Sequence, residues 1–63
     1  MPIAQIHMLE GRTEEQKAAV IEKVTEALCE AVGAPREAVR VMIMEMSNTN
    51  YGIGGETIKS LGR

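Results

Sequence analysis

Hydrophobic and polar residues alternate along the first run of the chain, with Ala4, Ile6 and Met8 on one face and Ile3, Gln5, His7 and Leu9 on the other. A period of two over Ile3 to Met8 predicts a β-strand, with apolar character on both faces. The period then changes. Glu10-Gly11-Arg12 reads as a short loop, and Thr13-Glu14-Glu15-Gln16 announces a helix. Thr13 can accept from the Gln16 N–H while the Gln16 side chain reaches back, a capping box, and Glu14 and Glu15 suit the positive end of the helix dipole. Ile21, Val24, Leu28 and Ala31/Val32 recur at i, i+3, i+7 and i+10/i+11, widened by Val20 and Ala27. That stripe predicts an amphipathic helix running to about Val32, stopped by Gly33 with Pro35 just beyond.

Alternation resumes over Val39 to Met46, with Val39, Val41 and Ile43 facing one way and Arg40, Met42, Met44 and Met46 the other. Strand, helix and strand in this order form a βαβ unit, so the two strands should be parallel with a right-handed crossover. One helix covers one face of a two-stranded sheet. The other face, and at least one strand edge, then need further copies of the chain. Ser47-Asn48-Thr49-Asn50 is a turn-rich loop, and the glycines of Tyr51-Gly52-Ile53-Gly54-Gly55-Glu56 predict a short hairpin or an arm packing on a neighbouring subunit. Thr57 to Arg63 is polar and reads as a partly mobile tail. The expected fold class is α/β (α+β): residues 1–63 as a single domain built from one βαβ unit and a C-terminal β-hairpin.

Composition strengthens the expectation of an oligomer. A chain of 63 residues buries only about 60% of its unfolded surface. The single Cys29 and single His7 exclude an internal disulfide and a convincing metal cage, so no metal site is expected. The sequence is 44% hydrophobic with Tyr51 as its one aromatic residue, which leaves aliphatic and methionine side chains to do the burying. Net charge is −2, and the basic residues Arg12, Lys17, Lys23, Arg36, Arg40, Lys59 and Arg63 are scattered. Nucleic-acid binding would require a basic face with stacking aromatics. No run approaches the about 20 apolar residues of a membrane span, and no basic-then-apolar leader is present. The chain reads as cytoplasmic, with Cys29 as a small packing residue beside the helix stripe and His7 as a structural or solvent-facing strand residue.

Candidate chemistry concentrates at Met1-Pro2. Proline is small enough for the initiator methionine to be trimmed, leaving a secondary amine; a model α-amino group titrates at about 7.7 to 8.0. While Met1 remains attached, the Pro2 nitrogen is an amide without basicity. Two arginines complete a logical set. Arg12 sits at a loop–helix junction, and Arg40 interrupts a methionine face, which is costly unless its guanidinium meets an anion or lines a cleft. Cationic groups and partial desolvation drive an amine toward its neutral, basic form, and two arginines can hold a dicarboxylate beside it.

The segments Pro2-Ile3-Ala4-Gln5-Ile6-His7, Leu9-Glu10-Gly11-Arg12, Val39-Arg40-Val41 and Gly52-Ile53-Gly54-Gly55-Glu56 resemble the 4-oxalocrotonate tautomerase family, in register from end to end. The resemblance implies a homohexamer of βαβ subunits, a trimer of dimers. It also implies cofactor-free tautomerisation of 2-hydroxymuconate to 2-oxo-3-hexenedioate, a dicarboxylate 2-oxo acid of aromatic-hydrocarbon catabolism. By the same resemblance Pro2 is the general base, Arg40 binds the 2-oxo group and nearby carboxylate, and Arg12 holds the far carboxylate. The backbone N–H of Leu9 is placed near the substrate, and the three side-chain groups are drawn from different subunits.

One position departs from the family. Tyr51 stands where the family has a phenylalanine, so an apolar wall of the substrate site gains a hydroxyl. The same fold also hosts hydration or dehalogenation of 3-haloacrylates, for which no carboxylate is well placed; Glu10, Glu45 and Glu56 are candidates by availability alone. A non-catalytic subunit of a heterohexamer is the other alternative, and the proline with both arginines argues against it.

Overall fold

Two parallel strands, β1 (Ile3–Leu9) and β2 (Arg40–Met46), form the centre of the structure, a computed structural model that describes residues 1–63. Their register runs from Ile3 opposite Arg40 to Leu9 opposite Met46. The helix α1 (Glu14–Val32) connects them, and a hairpin of β3 (Gly52–Ile53) and β4 (Glu56–Thr57) follows.

Local sequence sets the helix ends. The Gln16 N–H donates to Thr13 Oγ1 at 3.1 Å and the Thr13 N–H to Gln16 Oε1 at 2.9 Å, which completes the capping box. At the other end Gly33 takes φ 71° and donates its N–H to the Cys29 carbonyl at 3.0 Å, a left-handed stop that a side chain would disfavour. In the hairpin Gly54 and Gly55 have φ 62° and 88°, the double positive φ of a tight two-residue turn.

Packing follows the strand alternation. Ala4, Ile6, Met8, Val41 and Ile43 are half-buried on the face that α1 covers. Val20, Val24 and Leu28, flanked by Lys17, Thr25 and Cys29, are the half-buried positions of the helix. The stripe is therefore turned by about one residue from the expected one: Ile21 is 40% exposed and Val32 64%. The apolar positions are broad enough around α1 that periodicity alone does not decide which row meets the sheet. Lys17, on the row that meets the sheet, forms an ion pair with Glu45 of β2 at 3.0 Å.

The opposite face of the sheet is uncovered. Ile3 (60%), Met42 and Met44 are exposed there beside Gln5, His7 and Arg40. The surface area of the 6.9 kDa chain is 4637 Å², where a folded monomer of this mass exposes roughly 4,000 Å². Its radius of gyration is 14.7 Å, against about 11 Å for a compact domain of this length. One residue of 63, Ile58, is buried. A chain that leaves this much apolar surface open has not completed its core.

Two expectations need correction. The second strand begins at Arg40, because residues Arg36–Ala38 after Pro35 wind into a 3-10 turn and the Val39 N–H closes it on the Arg36 carbonyl at 3.1 Å. Residues 57–63 are an ordered set of turns, not a loose tail. Ile58 is 4% exposed and donates its N–H to the Tyr51 carbonyl at 2.8 Å, the Lys59 N–H meets the Asn48 carbonyl at 3.1 Å, and the Arg63 N–H meets the Ile58 carbonyl at 3.0 Å. Two apolar residues, Ile58 and Leu61, in a polar segment make a weak pattern, yet Ile58 anchors these turns.

Candidate active site

Strand pairing places Pro2 and Arg40 together at the start of the sheet. The Arg40 N–H donates to the Pro2 carbonyl at 3.0 Å, which extends the ladder one step before β1. Residues directly opposite in the ladder share a face, so Arg40 leaves the sheet with Ile3 on the uncovered side. Pro2, one step before Ile3, belongs to the other face and is half-buried. Met1 precedes it at 78% exposure, open to removal.

The Arg40 guanidinium folds back to donate to the Glu37 carbonyl at 2.7 Å, so the 3-10 turn holds it at the mouth of β2. That contact resolves the cost of a charge among methionines, since Arg40 stays exposed at the edge of their face. Arg40 and Arg12 form no ion pair within the chain. Arg36 by contrast binds both carboxylate oxygens of Glu22 at 3.0 Å, and Lys17 is taken by Glu45. The two arginines singled out by the sequence thus keep their positive charge available for an anion.

At the far end of the sheet lies a cavity of about 300 Å³ lined by Leu9, Glu10, Arg12, Asn48 and Arg63. Leu9 and Arg12 were expected in the site; Arg63 had been assigned no role, and Asn48 was not expected. Asn48 reads in the sequence as a turn residue, and Arg63 gains a location only once Ile58 has pinned the terminus. The Glu10 N–H donates to the Met46 carbonyl at 2.9 Å. Strand alternation therefore turns the Leu9 N–H to the open edge of β1, where it faces away from β2.

Seven strand residues at about 3.3 Å each put about 20 Å between the Pro2 and Arg12 ends of the sheet. One small substrate cannot span them within a chain. Tyr51, 44% exposed at the head of the hairpin, is not among the residues that line this cavity. Of the available carboxylates, Glu45 is occupied by Lys17, Glu56 lies in β4, and Glu10 faces the cavity.

Residues 2–61 match the family described as Tautomerase enzyme, which places the chain among the isomerases. A 2-hydroxymuconate tautomerase of Comamonas testosteroni is 65% identical over 63 residues, all of both chains. The solved 4-oxalocrotonate tautomerase isozymes of Methylibium petroleiphilum include a chain with TM-score 0.93 and 64% identity, covering 98% of this chain and 100% of that one. A heterohexamer 4-oxalocrotonate tautomerase from Chloroflexus aurantiacus J-10-fl aligns with TM-score 0.91 and 36% identity, covering 97% and 98%. The chain belongs to the 4-oxalocrotonate tautomerase family.

Proposed function

We propose that this tautomerase converts 2-hydroxymuconate, or a closely similar unsaturated 2-oxo acid, between its dienol and 2-oxo forms in the cytoplasm, without a cofactor. The reaction moves one proton and no electrons. A base removes the proton of the 2-hydroxyl group and a proton is returned at C5, giving 2-oxo-3-hexenedioate. Pro2 is that base once Met1 is gone, because only then does its nitrogen carry a lone pair. Arg40 holds the 2-oxo group and adjacent carboxylate and stabilises the charge that develops on oxygen. Arg12 holds the far carboxylate, the Leu9 N–H contributes a polar contact, and the Tyr51 ring forms a wall.

The observation that carries this reading is the combination of Pro2 behind an exposed Met1 with two arginines that engage no carboxylate of their own chain. Because Pro2 and Arg12 lie at opposite ends of the sheet, the working site is composite. A homohexamer, arranged as a trimer of dimers, supplies the missing ends and covers the open methionine face. The heterohexameric neighbour from C. aurantiacus supports a hexamer.

The test is ketonisation of 2-hydroxymuconate followed by ultraviolet absorbance, with the intact mass of the same sample. Turnover by protein lacking Met1 is the expected result. A correctly assembled sample without Met1 that leaves the dienol unchanged above its spontaneous rate overturns the reading.

A further inference from the structure

We propose that the open face of the sheet is a redox-sensitive assembly surface: peroxide converts Met42 and Met44 of an unassembled chain to sulfoxides, and the oxidised chain no longer joins other copies. This rests on the assembly described above, in which further copies of the chain cover that face. Strand β2 divides its side chains by chemistry. Val41 and Ile43 point to the face that α1 closes within the chain, whereas Met42 and Met44 point to the open face, at 38% and 37% exposure. Branched aliphatic side chains resist peroxide, and a thioether does not. Gln5 stands opposite Met42 and His7 opposite Met44, so no bulky apolar residue across the ladder shields either sulfur. Met8, on the α1 side, and Met46, at the end of β2, are half-buried. A free copy thus carries two accessible thioethers on the surface that assembly needs.

The step is a two-electron oxygen transfer. A lone pair of the thioether sulfur attacks one peroxide oxygen, the O–O bond breaks, and the departing hydroxide takes the proton of the transferred oxygen and leaves as water. Sulfur is oxidised, peroxide is reduced, and a flexible apolar side chain becomes a polar one. In the free chain water meets the new oxygen. Covering the face removes that water, and a polar group buried without a partner opposes association. Symmetric assembly repeats the same patch in every copy, so the penalty recurs at each interface built on it. Cys29, the one thiol of the chain, lies half-buried on α1 and not on this face, so no thiol there competes for the oxidant. A methionine sulfoxide reductase with a dithiol returns the thioether, with a disulfide and water as the other products, so the change is reversible.

The experiment takes the wild type and a Met42→Leu/Met44→Leu double variant, a nearly volume-conserving exchange. Each is dissociated in urea, treated with hydrogen peroxide, desalted and refolded, then read by native mass with peptide mapping of the sulfoxides. Oxidation should lower the assembled share of the wild type by about tenfold or more. The double variant, whose Met8 and Met46 meet the same treatment, should assemble within about twofold of its untreated sample. Reductase with dithiothreitol should restore the wild type. Unchanged assembly of the oxidised wild type, or an equal loss in the oxidised double variant, overturns the proposal. Peroxide added to the assembled wild type should leave Met42 and Met44 unmodified while the dissociated chain is fully oxidised, and equal rates in the two states overturn it as well. Should the untreated double variant not assemble, Met42→Leu and Met44→Leu are treated singly: a partial loss in each sustains the proposal, and a loss as complete as in the wild type in both removes it. Untreated wild type that stays monomeric removes the assembly reading together with this proposal. Wild type that assembles but leaves 2-hydroxymuconate unchanged removes the tautomerase reading alone, and native mass after oxidation still decides here.

Discussion

Arg40 donates its backbone N–H to the Pro2 carbonyl at 3.0 Å, yet the pleat of the sheet sends the two side chains to opposite faces. Main-chain neighbours are therefore not site neighbours. A proton-transfer site that takes Pro2 and Arg40 from different chains accommodates this separation, and Arg12, at the other end of the sheet, points the same way.

Complementation between inactive variants follows from this separation. Pro2→Ala and Arg40→Ala homo-oligomers should each have low kcat/KM on 2-hydroxymuconate. After unfolding together and refolding at equal amounts, roughly a quarter of the sites should contain the wild-type residue at both positions. Activity of the mixture above the sum of the two separate samples is the expected outcome. No gain on mixing, with mixed oligomers seen by native mass, would show that each chain builds its site alone.

Removing the base should cost about 10²- to 10⁴-fold in kcat, the usual contribution of a positioned general base. Pro2→Ala samples this directly. A form that retains Met1 should be at the lower end of activity, since its Pro2 nitrogen is an amide. Steady-state kinetics beside intact mass and native mass checks both, and full activity in either form contradicts the assignment.

The two arginines should separate kinetically. Arg40→Ala is expected to lower kcat most, because it acts on charge that develops during the reaction. Arg12→Ala should weaken both KM and kcat for a dicarboxylate and matter less for a monocarboxylate. Equal behaviour of the two variants across both substrates would remove the division of roles.

The open face of the sheet offers a test of assembly. Met44 lies opposite His7 and is exposed within one chain. Met44→Lys would bury an unpaired ammonium in any interface formed there, at a cost of several kcal/mol. Sedimentation at micromolar concentration should show smaller species with reduced helical circular dichroism, and an intact oligomer of wild-type stability would mean that this face stays wet.

Ile58 anchors the hairpin and the last turns, so Ile58→Ala should cost roughly 2–5 kcal/mol of stability, the range for truncating a buried isoleucine. Hydrogen exchange should accelerate at the Ile58 and Arg63 amides, whose acceptors are the Tyr51 and Ile58 carbonyls. A loss below about 0.5 kcal/mol would show that the anchor is elsewhere.

The sequence was most legible where local chemistry and periodicity agreed. Thr13 and Gln16 announced the start of the helix, Gly33 its end, and alternation over residues 3–8 and 39–46 placed both strands to within a residue. Pro35 was read only as a helix stop, and its second role, starting the turn of residues 36–38, moved the strand to Arg40. Ile21 looked inward on spacing alone, because periodicity does not decide which row of a broad apolar stripe faces the sheet. At the site, Pro2, Arg12 and Arg40 stood out by residue type. Asn48 and Arg63 did not, because a turn residue and a terminal cation become cavity walls only through Ile58, fifteen residues from Ile43 but one step from the hairpin.

The uncovered methionine face also governs how the chain comes to be folded at all. With Ile58 as its single buried residue, an isolated copy has little to hold its helix and strands in place. Collision between copies then becomes part of acquiring structure, so the rate of folding after synthesis should rise with chain concentration and the midpoint of thermal melting should fall on dilution.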